Sequence, residues 1–108
     1  IYAHFQNWLL AYNAFYNYEQ SGDIVQSEHI YIYADCAVKS GMSNRAIQIL
    51  EKGIDDNPYS IPLYEELIRL LIQQNRITKA RYYMQEAKHH FNVLSPLLQL
   101  MDARLNRM

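Results

Sequence analysis

The sequence predicts an all-α fold of about six helices arranged as antiparallel hairpins. Two observations carry this. Apolar residues recur every three and four positions along most of the 108 residues, the period of a helix face and not the alternation of a half-buried strand. Gly and Pro number only three each, and most of them stand at joints between apolar stripes. Half of the residues are hydrophobic and the net charge is -1, which excludes a disordered or collagen-like chain and leaves one small globular domain with a core of its own. A domain of this length buries roughly 60 to 70% of its unfolded surface, enough to stand without staples.

The first helix carries Phe5, Trp8, Leu9, Tyr12, Phe15 and Tyr16 on one stripe and stops at Ser21-Gly22, where glycine takes the left-handed conformation. Asp23, with Gln26 three residues on, restarts the chain. The second helix buries Ile30, Tyr33, Ala34, Ala37 and Val38 and runs to Gly41. The third, with Ser43 as its cap, buries Ala46, Ile47, Leu50 and Ile54 and ends at Asn57-Pro58. Ser60 caps the fourth, with Glu65 and Glu66 toward its positive end and Leu63, Tyr64, Leu67, Ile68, Leu71 and Ile72 inside, and Asn75 ends it. The fifth runs from Ile77 through Ala80, Tyr83, Met84 and Ala87 to Phe91. Ser95-Pro96, a cap followed by proline at the first helical position, opens the sixth, whose stripe is Leu97, Leu98, Met101 and Leu105.

A shift of 34 residues lays Gly41 on Asn75, Ala46 on Ala80, Leu50 on Met84, Tyr33 on Leu67 and Pro62 on Pro96. Residues 27 to 60 resemble the tetratricopeptide repeat through Ile30, Tyr33, Ala34, Gly41, Ala46, Leu50 and Pro58, with Gly53 where that family prefers alanine. Residues 61 to 92 resemble it through Tyr64, Leu67, Leu71, Ala80, Met84 and Ala87, with Asn75 for the turn glycine and Asn92 for the closing proline. The organisation is a single domain over 1–108: an atypical leading helix (1–22), two repeat units (27–60 and 61–92) and a closing helix (94–107). Gly41, Ala46, Pro58, Ala80 and Ala87 are its structural signature.

Residues 27 to 107 are also similar to the bacterial transcriptional activator domain, through Asn92-Val93, the Ser95-Pro96 cap and the short helix from Leu97 to Leu105. That family's usual glycine is Asn92 here, and its Glu-Pro step before Ser-Pro is missing. The resemblance implies a regulatory or oligomerising, non-catalytic protein-interaction module, cytoplasmic, whose parent touches DNA only through a separate winged-helix domain. Ile1 at the start, with no basic lead into an apolar run, fits a piece of a longer chain. Two alternatives stay open. Trp8, Tyr12 and Glu19 resemble the half-a-tetratricopeptide repeat of RNA-processing scaffolds, and the period resembles pentatricopeptide RNA binders, whose basic groove a net charge of -1 does not supply.

Catalytic and metal chemistry find no pattern to rest on. His89 and His90 are adjacent and so face different sides of a helix, while His4 and His29 have no ligand-spaced neighbour. Cys36 sits among small residues with no histidine paired to it, and Asp55-Asp56, adjacent at a helix end, share no face. Gly22, Gly41 and Gly53 form no phosphate-cradling cluster. The expectation is no enzyme, no metal and no cofactor. No apolar run approaches the roughly 18 residues of a membrane span, so no membrane partner is expected.

What remains is a surface. Residues 1 to 38 hold four acids (Glu19, Asp23, Glu28, Asp35) and no Lys or Arg, whereas residues 69 to 108 hold seven bases and two acids. Of the ten tyrosines, Tyr12, Tyr16, Tyr33, Tyr64 and Tyr83 fall at core spacing, and Tyr2, Tyr18, Tyr31, Tyr59 and Tyr82 fall outside it. In tetratricopeptide arrays the first helix of each pair lines a concave groove, which the resemblance assigns to Glu28, Tyr31, Asp35 and Lys39, then Glu65, Arg69, Ile72 and Gln73. Tyr31 and Asp35 do not suit a carboxylate clamp, and Glu65 and Arg69, four apart, are expected to neutralise each other. The partner predicted for this groove is a protein or peptide with basic and apolar residues, with self-association through the apolar first helix as the other expectation.

Overall fold

The computed structural model describes residues 2–22 and 25–108, with side chains from residue 7 onward except at positions 23, 24 and 27. Expectations for the side chains of Tyr2, His4 and Phe5, and for Asp23 as a start signal, lie outside the described residues. Among the described residues six helices form: α1 (Tyr2–Gln20), α2 (Ser27–Lys39), α3 (Ser43–Asp56), α4 (Ile61–Gln73), α5 (Ile77–His90) and α6 (Pro96–Asn106). No strand occurs among the described residues, so the protein is all-α as the 3.6-residue period requires. No described helix is long and apolar enough to cross a membrane.

The chain divides into two compact units, Ile1–Gly53 and Ile54–Met108, the division falling within α3. In the first, α1 and α2 pack as a hairpin. Lys39 lies over the Trp8 ring at 4.0 Å, and Tyr33 stacks on Phe15 at 5.3 Å. In the second, α4 and α5 form a hairpin and α6 packs against both. Leu63, Leu67, Ile68 and Leu71 of α4, Met84 of α5 and Leu98 and Leu105 of α6 are buried there. Ala80 and Ala87 are 0% exposed, and their lack of bulk lets α5 lie close to α4. Ala46 is likewise 0% exposed in the first unit.

The internal repeat has a hydrogen-bond counterpart. After α2, Met42 N–H donates to Ala37 C=O at 2.8 Å and Gly41 N–H to Val38 C=O at 3.0 Å. After α4, Arg76 N–H donates to Leu71 C=O at 2.8 Å and Asn75 N–H to Ile72 C=O at 3.0 Å. Both are Schellman caps, 34 residues apart, with Gly41 at φ 81° and Asn75 at φ 59° in the same left-handed position. Asn75 is the positive-φ residue that is not glycine among those described, and asparagine is the usual substitute there. Asn75→Ala is therefore expected to lose about 1 kcal/mol, while Asn75→Gly loses nothing, as read from urea midpoints.

Several details differ from the sequence reading. Ser43 is the first helical residue of α3, and Met42 C=O takes the first bond, from Ala46 N–H at 3.0 Å. Ser60 does occupy the cap of α4, but its hydroxyl makes no capping bond, and Glu65 and Glu66 lie beyond the first turn, where the helix dipole has faded. Ser95 caps α6 as expected, its hydroxyl accepting from Leu98 N–H at 3.3 Å ahead of Pro96. Tyr16 and Leu97, placed on core stripes, are 40% and 41% exposed, whereas Ile49 and Leu70, left off them, are buried. Helical period alone misplaces residues at the edge of a stripe, where the neighbouring helix decides.

Candidate functional site

The groove residues predicted from the sequence fall in both units, the α2 row in the first and the α4 row in the second. On α2, Glu28 and Tyr31 are exposed, and Asp35 is tied to Lys39 at 3.0 Å. On α4, Arg69 pairs with Glu66 at 2.7 Å rather than with Glu65, and Gln73 is exposed. Glu65 instead accepts a 2.6 Å bond from the Ser95 hydroxyl, a partner 30 residues away that local spacing cannot reveal. Asp35 and Arg69 are thus each offset by a neighbour, while Glu28 and Glu65 keep their negative charge, so the two rows stay mildly acidic.

Arg45, at the start of α3, is the charged residue the sequence reading missed. Its Nη2 reaches Glu19 Oε1 at 2.7 Å and the Tyr33 hydroxyl at 3.1 Å, and its Nε donates to the Tyr12 hydroxyl at 3.2 Å. The Tyr33 hydroxyl donates to Glu19 at 3.1 Å, and Lys52 stands 3.6 Å from the other carboxylate oxygen. Three helices meet at this part-buried cluster, Glu19 keeping 13% and Arg45 27% of side-chain exposure. Burial works against the charge on Arg45, but the hydrogen bonds it donates to Tyr12 and Tyr33 and the Glu19 carboxylate more than offset it, so the guanidinium stays charged. The cluster is saturated by its own members, and we read it as architecture, not as a binding site.

Burial also pushes the Tyr33 hydroxyl far above the phenol range, with Arg45 pulling it back and Glu19 pushing it further. Tyr64 and the buried thiol of Cys36 are raised as well, in each case by burial first. These groups bind their protons more tightly folded than unfolded, so unfolding releases protons wherever the unfolded group ionises. Stability is expected to hold below about pH 8.5 and to fall as pH rises past the unfolded thiol and then the unfolded phenols near pH 10. Urea midpoints from pH 7 to 11 check this, and Tyr33→Phe should flatten the steeper alkaline part.

The surface with the features of a binding site is a cleft of about 240 Å³ between α4 and α6, lined by Arg69, Ile72, Leu97, Leu100, Met101 and Arg104. Ile72 and Met101 are nearly covered, while Leu97 and Leu100 are 41% and 69% exposed, a costly apolar display for a surface of this size. Arg104 makes no ion pair among the described residues, so an uncompensated cation stands beside the apolar floor. Sequence reading put Leu97 in the core and left Leu100 unassigned, because a closing helix has apolar residues on more than one side and period cannot say which side is covered. A second cleft, of about 360 Å³, lies between α1 and the start of α2 with Phe15, Tyr18, Val25 and His29 in its wall.

Among the described residues no group of three His, Cys, Asp or Glu is placed to hold a metal ion, and Cys36 is buried. No family model matches the chain, and neither a curated protein nor a solved structure does.

Proposed function

We propose that the protein is a non-catalytic interaction module whose second unit docks a partner segment in the α4–α6 cleft. The observation that carries this is the exposure of Leu97 and Leu100 beside Arg69 and Arg104. Apolar side chains beside Arg104, with Arg69 already held by Glu66, suit an amphipathic segment of Leu or Phe flanked by a carboxylate. Apart from Arg69 and Ile72, it is a different surface from the α2 and α4 rows, for which the sequence predicts a basic partner. The test is selection from a displayed library of 12-residue peptides. Enrichment of acidic, apolar sequences that lose about tenfold or more on both Leu100→Asp and Arg104→Glu supports the reading. Enrichment of basic sequences, or binding indifferent to both changes, overturns it.

The place of such a module in a larger protein is part of the same proposal. A regulatory or oligomerising role in a bacterial transcriptional activator, in the cytoplasm, is supported by the Ser95 cap and the packed closing helix α6, the parts on which that resemblance rests. An RNA-processing scaffold is supported by a different observation: Tyr12 and Glu19, two of the three residues resembling that repeat, converge on Arg45. A winged-helix domain upstream in the parent sequence would favour the first reading, and further aromatic-rich helical pairs the second.

A further inference from the structure

We propose that a recess in the second unit, walled by Tyr64, Tyr82 and Tyr83 with Asp55 and Glu86 beside them, binds a single basic side chain offered by a protein partner. The recess has a volume of about 190 Å³ and is completed by Ile54, Pro58 and His90. It shares no residue with the α4–α6 cleft, so the two proposals stand or fall separately.

Three properties converge on an organic cation. The first is aromatic. Tyr82 meets Tyr83 edge to face at 5.1 Å and Tyr59 meets His90 edge to face at 5.5 Å, so rings stand at steep angles to one another and form corners rather than one flat wall. Tyr82 of the lining is 58% exposed and Tyr59, packed on His90, is 72% exposed, an open approach for a long side chain whose charged head seeks a ring face. The second is charge. Asp55 and Glu86 are the carboxylates of the lining, and the lining has no lysine or arginine to satisfy them. The field they set up is felt inside: after burial, Glu86 and Asp55 are the next causes that raise the Tyr64 hydroxyl. The third is exclusion of other ligands. An anion meets two carboxylates, an apolar group meets hydroxyl and carboxyl oxygens, and no described trio of ligands suits a metal ion.

The internal competitor is His90, whose Nε2 lies 3.7 Å from Glu86 Oε2. Only the protonated imidazole would pair there, so the titration is run at pH 8 and repeated at pH 6 to expose any competition. Ile54 and Pro58 give the lining an apolar part, against which the methylenes of a lysine or arginine stem can lie.

The experiment is a titration of the whole chain, followed by backbone amide shifts, with the N-acetyl amides of arginine, lysine and norleucine. The expected result is saturable shifts at Asp55, Tyr82, Tyr83, Glu86 and His90 from the two cationic probes, with millimolar affinity, and none from norleucine at the same concentrations. Glu86→Gln and Tyr82→Ala, both at positions open enough to leave the fold intact, should each weaken binding about fivefold with an unchanged melting temperature. A tighter arginine probe assigns the site to a guanidinium and a tighter lysine probe to an ammonium, and either supports the proposal. Equal shifts from norleucine, absence of shifts at these amides, or affinity untouched by both variants overturns it.

Discussion

Arg45→Ala is expected to destabilise the first unit by about 1 to 3 kcal/mol, because it strips a part-buried carboxylate of its shortest hydrogen bond while Lys52 still faces it. The carboxylate of Glu19 would keep only the Tyr33 hydroxyl at 3.1 Å and Lys52 at 3.6 Å while remaining 13% exposed. The Tyr12 hydroxyl would lose the donor it now has from Arg45. For a domain of this size the melting temperature falls by roughly 4 to 8 °C per kcal/mol, so the loss is large in a circular dichroism melt. The second arm is the paired replacement Arg45→Met with Glu19→Gln, which removes both charges and should regain at least half of the lost stability. A single Arg45→Ala protein melting with the parent would show that water reaches the cluster and that the geometry carries no net energy.

Leu67→Ala should cost about 2 to 5 kcal/mol in the second unit. Leu67 is 0% exposed on α4, between Leu63 and Leu71 on the same buried face and a turn from Tyr64. Truncation removes three heavy atoms and leaves a void that the neighbours cannot fill without leaving their rotamers. Leu67→Met, nearly equal in volume, should cost under about 1.5 kcal/mol and separates the cavity effect from mere chemical change. Because Leu67 and Arg45 stand in different units, hydrogen exchange should show the first substitution loosening amides of α4 to α6 and the second those of α1 and α2.

Six helices and most of their core were legible because the information is local. Gly22, Gly41, Asn75 and Ser95-Pro96 mark helix ends by backbone preference, and the buried stripe of α4 follows from spacing. Side-chain exposure followed where a tyrosine sat clearly off the stripe: Tyr18, Tyr31, Tyr59 and Tyr82 are all exposed. What local information could not supply was pairing across the chain. Arg45 finds Glu19 across 26 residues and Ser95 finds Glu65 across 30, and neither distance has a sequence period. The tyrosine recess was hidden for the same reason: Asp55 reads as a solvated helix end and His90 as one of an unhelpful pair, until the fold brings them beside Tyr64 and Tyr82.

The helix pairs that pack together bear on how fast the chain reaches this structure. α1 meets α2, α4 meets α5, and α6 closes on the two helices just before it. Except for α4 with α6, each contact forms between stretches separated by a short connection, so little loop-closure entropy opposes the first encounters. Chains rich in such local contacts fold on the microsecond to millisecond scale, with no search for distant strands. Newly made α1 and α2 can pair while the rest is still being synthesised, which limits the time their apolar stripes stay bare to other chains.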